Sequence, residues 1–337
     1  VVIAASGGPL EFLKGECPGV EILNLPGYGI TYPTDGSMAT AMARQMPKLI
    51  GAARRERSWL DDLCRHRRID FVISDNRFGF HQPDVPSVYI THQLIILPPG
   101  GQGWARSPLA FFHQRIISRF TECWVPDYAG EENLSGDLSH TSQRPSNVHF
   151  IGPLSRFHLT SDVSDDKPDI APVDLLVILS GPEPQRSRFE EIILKQASGS
   201  DLRLLIIRGL PRNADPDSQF DGRVIRYPHL STASIRRAAN SAKAILARPG
   251  YSTLMDLPYL ACPAILVPTP GQTEQEYLAR RLADRGQVVV SAQDDFNLER
   301  CYRQIEAGSI APLPLIEGES DSPLVRVRAL LGDSFSS

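Results

Sequence analysis

Arg248-Pro249-Gly250 closes an apolar run, AKAILA (Ala242 to Ala247), and Asp256 follows the arginine at a spacing of eight residues. A short apolar run that stops at a glycine and restarts as a helix is how a β-α unit aims backbone N–H groups into open space. Such groups attract phosphate. A carboxylate one to two turns into that helix repels phosphate, so it must serve another part of a ligand, and the two adjacent hydroxyls of a ribose suit it.

A second unit of the same kind follows. AILVP (Ala264 to Pro268) leads through Thr269-Pro270-Gly271-Gln272 to a helix from Thr273. Thr273 with Glu276 fits a capping box, which by itself accounts for both side chains. Glu274 and Gln275 then lie on the first turn, where polar side chains point out from the strand ends. A phosphate site, a diol partner and a polyol partner on neighbouring loops together describe a nucleotide-sugar.

Arg248-x-Gly250, Asp256 and the run Glu274-Gln275-Glu276-Tyr277 resemble the donor site of the GT-B glycosyltransferases of family 28. The best-known activity of that family moves N-acetylglucosamine from a uridine nucleotide onto a lipid-linked acceptor. LPGYGI, SDNRFGF, ITHQL, CWVPD, IGPLSRF and SGPEPQR look like a bacterial branch of the same superfamily, so the resemblance covers most of the chain. It implies an α/β protein of GT-B type: two Rossmann-like parallel-sheet domains facing a cleft. It implies a UDP-sugar donor held by Arg248 and the amides of Gly250, Tyr251 and Ser252, with Asp256 on the ribose. Gln272, Glu274, Gln275 and Glu276 are then at the sugar, and the turn Tyr227-Pro228-His229-Leu230 wraps the nucleobase, although Tyr227 reads equally well as core. The family carries Glu where Asp256 stands, one methylene longer, and Pro258 falls inside the expected helix, where it removes a hydrogen bond and kinks the axis.

The bulk of the chain fits two domains. Its 337 residues, 42% hydrophobic, can bury two cores, and a net charge of −4 supplies no field for nucleic acid. Five cysteines (Cys17, Cys64, Cys123, Cys262, Cys301) without a CxxC pair read as buried thiols in a reducing cytosol. No run reaches the ~18 to 20 apolar residues that cross a bilayer. The expected boundaries are an N-terminal acceptor-side domain over 1–156, a polar linker over 157–172, a nucleotide-sugar domain over 173–320, and a tail over 321–337 whose helix returns to the first domain. The chain opens inside an apolar run (VVIAAS) without Met. The resemblance implies that a first strand and a loop bearing glycine and histidine are missing, with the main catalytic base there.

In the first half, Val1 to Ala5 reads as a buried parallel strand, and Ser37 to Arg68 as a helix interrupted near Pro47 with a solvated charged face. IDFVIS ends in Asp75-Asn76-Arg77 and SVYIT in His92-Gln93. Ligands gather outside the carboxyl ends of parallel strands, so both clusters are acceptor-side candidates, Asp75 and His92 as bases. An Asp-Asn-Arg turn is equally a capped loop, and a lone His at a strand end equally a structural residue. Leu109, Phe112, Ile116 and Phe120 recur at helical spacing, which is either a core-packed helix or, with Trp104 and Arg106, an apolar, basic lip for a lipid-linked acceptor or anionic membrane. Asp165-Asp166 reads as solvated linker charge, not a metal site.

The second half alternates strands at 175–180, 202–207, 224–226, 244–247, 264–267 and 288–290 with helical stretches, a doubly wound parallel sheet. Its first loop, Ser180 to Arg186, is not a GxGxxG fingerprint, so no nicotinamide cofactor is indicated. Gly181 there permits close backbone approach to a ligand. Arg186, and more weakly Arg208, is either a diphosphate partner or a surface ion pair. The expected reaction is an inverting single displacement from a UDP-sugar onto an acceptor hydroxyl, needing neither metal nor cofactor. It would take place in the cytoplasm or on the inner face of its membrane. The rivals are a nucleotide-sugar 2-epimerase of the same fold, whose Asp-Ser-Gly-Gly turn is here Arg-Pro-Gly-Tyr, and a non-catalytic nucleotide-sugar-binding subunit.

Overall fold

The computed structural model describes residues 1–25, 38–95, 113–141, 144–158, 171–210, 219–316 and 320–332, without the side chains of 38–46, 49 and 219–221. The chain divides into two compact units, one of Val1–Ile22 with Ser155–Leu315 and one of Leu23–Leu154 with Ile316–Ser337.

The unit containing Ser155–Leu315 is built on a seven-stranded sheet in the order β13-β12-β11-β7-β8-β10-β9. Its strands are β7 (Val173–Ile178), β8 (Leu204–Ile207), β9 (Gln219–Asp221), β10 (Val224–Tyr227), β11 (Ala242–Ala247), β12 (Ala264–Leu266) and β13 (Val289–Val290). All pairs are parallel except β9 with β10. Strands covered on both faces are largely apolar, as LLVI of β7, LLII and AIL are, and the exception, Asp174 near the start of β7, is paired with Lys243. Between them run α3 (Gln185–Ala197), α4 (Thr232–Asn240), α5 (Tyr251–Leu260), α6 (Thr273–Asp284) and α7 (Leu298–Glu306). Helix α7 shows why such segments fold on the sheet: Leu298, Cys301, Tyr302 and Ile305, spaced for one helical face, are all buried, and the Asn297 side chain caps its start. The strands read from sequence are present, and β9 is an addition. It forms a hairpin with β10 through Gly222-Arg223, a turn that Asp221-Gly222 signals.

Pro258 does not stop α5, which continues to Leu260 and ends on Ala261 in the left-handed region (φ 48°). The first 22 residues depart from the expected boundary, since they group with Ser155–Leu315. β1 (Val2–Ala5) is not a buried strand of a larger sheet. It pairs with β2 (Glu21–Asn24) in a two-stranded ribbon and is exposed at its start. Helix α1 (Gly8–Glu16) reaches the β10–α4 turn, with Phe12 edge-on to His229 at 5.6 Å and the Thr232 hydroxyl donating to Glu16 at 3.3 Å.

The second unit holds a parallel four-stranded sheet, β3 (Val72–Asp75), β4 (Ser87–Ile90), β5 (Glu122–Val125) and β6 (Val148–Phe150). Helix α2 (Met38–His66) runs through Pro47 without the expected interruption. Helix α8 (Pro323–Leu331) belongs to this unit: Val327 and Leu330 pack on Val88, Trp124 and Ile151, and Arg326 is paired with Glu122. Ile116 and Phe120 lie in the core with Tyr89 and Cys123, while Arg115 and Arg119 are exposed. Among the described residues no helix is long and apolar enough to cross a membrane.

Candidate functional site

The seven-stranded sheet has its topological switch beside β7. From β7 the chain winds outward through β8 and β10, then crosses back to β11 and winds the other way. The ends of β7 and β11 are neighbours, Ile178 opposite Ala247, and the loops that leave them diverge. A crevice must open there, where α/β sheets bind ligands.

The helix starts around that crevice differ from the others in the sheet. Helix α4 is capped by Ser231, which accepts from the Ser234 amide at 3.3 Å, and α7 by Asn297, which accepts from Arg300 at 2.8 Å. At α5 and α6 the capping positions Gly250 and Gln272 make no side-chain cap, which leaves the positive end of each helix dipole without a capping side chain, whereas at α3 Glu183 Oε2 accepts from the Ser187 amide at 3.2 Å. A Cβ on Gly250 would meet Thr253 Oγ1 at 3.9 Å, and one on Gly181 (φ 101°) would meet nothing within 4 Å. Both backbones are therefore open to a ligand. Ser252 is exposed on the first turn of α5, whereas the Tyr251 side chain is buried.

Asp256 lies one turn further along α5 with an 18% exposed side chain. The Ser155 hydroxyl donates to its Oδ1 at 2.6 Å, and Arg156 Nε stands 3.8 Å from Oδ2. Burial pushes the carboxyl's pKa up, against the pull of Ser155 and Arg156. The segment carrying these partners is anchored, not free linker. Phe157 is 2% exposed and has Arg156 and Arg236 on its ring, while His158 meets Tyr259 edge-on. Sequence reasoning missed Ser155 and Arg156, which stand about a hundred residues from Asp256 with no motif to link them.

Arg186, for which an ion pair is the alternative to a diphosphate contact, and Arg248, which the resemblance places at the donor, are both engaged inside the fold. Arg186 is 5% exposed; its guanidinium donates to Glu183 at 2.7 Å, Glu190 at 2.9 Å and the Arg208 carbonyl at 3.2 Å, and Arg208 also binds Glu190, at 2.6 Å. Arg248 is 1% exposed, turned inward onto the Phe189 ring, and burial lowers its pKa to about 10. Neither side chain is available to a ligand, because each already meets acceptors inside the fold.

The first turn of α6 also turns back on its own loop. Gln275 Oε1 accepts from the Thr269 amide at 2.8 Å and Glu276 Oε1 from the Gly271 amide at 3.2 Å. The capping box expected of Thr273 and Glu276 does not form, since Gln272 is the cap position and its side chain makes no cap bond. Gln272 and Glu274 are half-buried beside them. A hollow of about 440 Å³ adjoins this loop, lined by Pro268, Pro270, Glu276, Arg280, Gln293 and Asp294 among others. At the β10–α4 turn Tyr227, His229 and Leu230 are all half-buried. Burial lowers the His229 pKa, with Glu16 opposing and Arg156 assisting, so the ring is neutral at pH 7.

In the four-stranded unit the two polar clusters meet. Asp75 pairs with Ile90, the Asn76 amide donates to the Ile90 carbonyl at 3.0 Å, and Thr91-His92 continues from there. Asp75 is exposed at the strand end, and crowding by protein raises its pKa despite the attraction of His92 and Arg77. Asn76 is left-handed (φ 52°) and accepts from the buried Tyr89 hydroxyl at 2.7 Å. Arg77 is paired with the buried Glu56 at 2.5 Å. Asn76 and Arg77 thus hold the turn, and Gln93 uses its amide to bind Thr91 Oγ1 at 3.2 Å. Trp104, Arg106, Leu109, Phe112 and the Asp165-Asp166 pair lie outside the described residues. Among the described residues no group of three or more His, Cys, Asp or Glu is arranged to hold a metal. Cys123, Cys262 and Cys301 are buried as expected, whereas Cys17 and Cys64 are half-exposed.

Residues 189–316 match the family model described as Glycosyltransferase family 28 C-terminal domain. No curated protein matches the chain in sequence. Among solved structures, the chain is similar to the glycotransferase of kitacinnamycin, at 15% identity over 91% of this chain and 89% of that one, with a TM-score of 0.57. It is similar to the spinosyn rhamnosyltransferase SpnG complexed with thymidine diphosphate (11% identity, 91% of each chain, TM-score 0.54). It is also similar to UGT89C1 of Arabidopsis thaliana complexed with UDP-L-rhamnose (13% identity, 90% and 81%, TM-score 0.51). These likenesses show the fold, two Rossmann-like domains of GT-B type.

Proposed function

We propose, for a chain whose fold is GT-B and whose residues 189–316 match the family 28 C-terminal domain, that it is a glycosyltransferase taking a UDP-sugar donor. The observation that carries this reading is the uncapped first turn of α5 at the topological switch, with the Asp256 carboxylate one turn behind it. The Gly250 to Ser252 amides would take the diphosphate and Asp256 the ribose hydroxyls. Tyr227, His229 and Leu230 would surround the base, and Glu274, Gln275 and Glu276 would meet the sugar once the latter two release their loop amides. Neighbours of the same fold hold thymidine diphosphate and UDP-L-rhamnose, which supports a pyrimidine nucleoside diphosphate donor.

The reaction is an inverting displacement of UDP by an acceptor hydroxyl. Its leaving group gathers charge on the diphosphate, where preorganised amides act most strongly; one such donor is worth roughly 3 kcal/mol in other enzymes. The proposal assigns that task to amides and the helix dipole instead of a divalent ion. Asp75 or His92 would accept the hydroxyl proton. The donor sugar is a hexose or N-acetylhexosamine, and the acceptor a glycan, free or lipid-linked.

The test is UDP release from UDP-N-acetylglucosamine and UDP-glucose, with and without a panel of glycan acceptors, each run in EDTA and in magnesium. Acceptor-dependent release that EDTA does not change supports the whole proposal. Release that requires magnesium overturns the metal-independent part, and binding of neither nucleotide-sugar overturns the donor.

A further inference from the structure

Arg248 was read as a ligand of the donor, and the fold turns it inward. Its Nη1 donates to the carbonyls of Val267 and Pro268, each at 2.9 Å. Its Nη2 donates to the Gln185 carbonyl at 3.4 Å and to Gln293 Oε1. The guanidinium carbon stands 4.2 Å from the centre of the Phe189 ring. One planar group therefore joins four segments: the turn before α5, the end of β12 that feeds the α6 loop, the first turn of α3, and the turn after β13. Two of these carry the uncapped helix starts of α5 and α6.

We infer that Arg248 is a positioning residue that fixes the first turn of α5 against the Thr269–Gln272 loop, so that the diphosphate and sugar ends of the donor meet one preset frame. The inference rests on the donor-site reading above. Its physical basis is the fork of the guanidinium, whose donors diverge in one plane while its face lies on an aromatic ring. A lysine offers one nitrogen and no plane. It could hold the Val267 and Pro268 carbonyls but could not at the same time reach Gln185 and Gln293 or cover Phe189. The register matters because the Gln275 and Glu276 side chains hang from the same loop.

The experiment compares wild type with Arg248→Lys, Gln293→Leu and the double variant in two measurements, with melting temperature recorded for each. Hydrogen exchange reads the bonded amides of the two segments, Leu254 closing the first turn of α5 and Thr269, Gly271 and Gln272 in the α6 loop, and calorimetry reads UDP affinity. The expected result is at least tenfold faster exchange in both segments for either single variant, with the core strands of the sheet unchanged. UDP affinity should fall at least tenfold in Arg248→Lys and severalfold in Gln293→Leu, with the double variant no weaker than Arg248→Lys. Wild-type exchange in both segments of Arg248→Lys overturns the inference. So does a Gln293→Leu protein that behaves as wild type while Arg248→Lys loses affinity, because Arg248 would then be touching the nucleotide itself. If wild type binds no UDP, the donor reading fails, and the exchange data alone still decide the brace. Should Arg248→Lys not fold, Gln293→Leu and Phe189→Leu carry the same comparison.

Discussion

The Ser155 hydroxyl donates to Asp256 Oδ1 at 2.6 Å. A hydroxyl on this carboxylate is the same interaction a ribose would make, so under the proposed donor site Ser155 and the nucleotide compete for Oδ1. Ser155→Ala should therefore strengthen UDP binding about fivefold, equivalent to about 1 kcal/mol for one exchanged hydrogen bond. Unchanged affinity in calorimetry would mean that the ribose leaves Oδ1 alone.

Asp256 also sets a conflict between stability and binding. Burial raises its folded pKa, so the neutral carboxyl is favoured in the fold. The cost of ionising it is present above the folded pKa and disappears as pH falls below the unfolded value of 3.8. Asp256→Asn keeps an acceptor for Ser155 and removes the charge. Its melting temperature should exceed wild type by about 2 °C at pH 7, the advantage shrinking to nothing in acid. A lower melting temperature at pH 7 would show that Arg156 more than offsets the burial.

Glu122 makes the opposite case in the other unit. Its burial works to raise the pKa, but hydrogen bonds from Arg326 and Trp124, and the charges of Arg326 and His149, bring it below the usual value. The resulting stability is present above the unfolded pKa of 4.5 and is lost as pH falls through the folded one. Arg326→Ala should cost roughly 3 kcal/mol in urea denaturation at pH 7 by stranding a largely buried carboxylate. It should also flatten the loss of stability below pH 4.5. Equal acid slopes in the two proteins would place the acid sensitivity elsewhere.

Gly79 lets the turn carrying Asp75 close on α2, since a Cβ there would lie 2.0 Å from the Ala53 carbonyl oxygen. That oxygen belongs to helix backbone and cannot swing away. Gly79→Ala should destabilise the protein by about 2 kcal/mol. If UDP binding is assigned to the right unit, calorimetry on the folded variant should show wild-type affinity for UDP.

Both sheets were legible because a strand covered on two faces is largely apolar, and LLVI of β7, LLII of β8 and AILA of β11 are such runs. The hairpin of β9 was passed over because three residues are too few for a pattern, though Asp221-Gly222 marked its turn. Arg186 leaves two readings open, a diphosphate partner or an ion pair, and a signal in the sequence favours the second. Glu183 and Glu190 flank it at helical spacings of three and four, which predicts an ion pair before it predicts a ligand. Arg248 and Asp256 had no such signal. Gln293 lies 45 residues from the arginine and Ser155 lies 101 from the aspartate, distances that folding alone brings to bonding range. Sequence spacing located the helix start and its carboxylate, while which side chains were already occupied depended on packing.

The first two turns of α5 are the proposed nucleotide site. Calorimetric titration with UDP at fixed ionic strength and without divalent metal tests it, wild type against Asp256→Ala. The expected result is micromolar binding that the substitution weakens at least tenfold, about 1.4 kcal/mol. No binding, or equal binding by both proteins, would contradict the donor site and leave the fold standing.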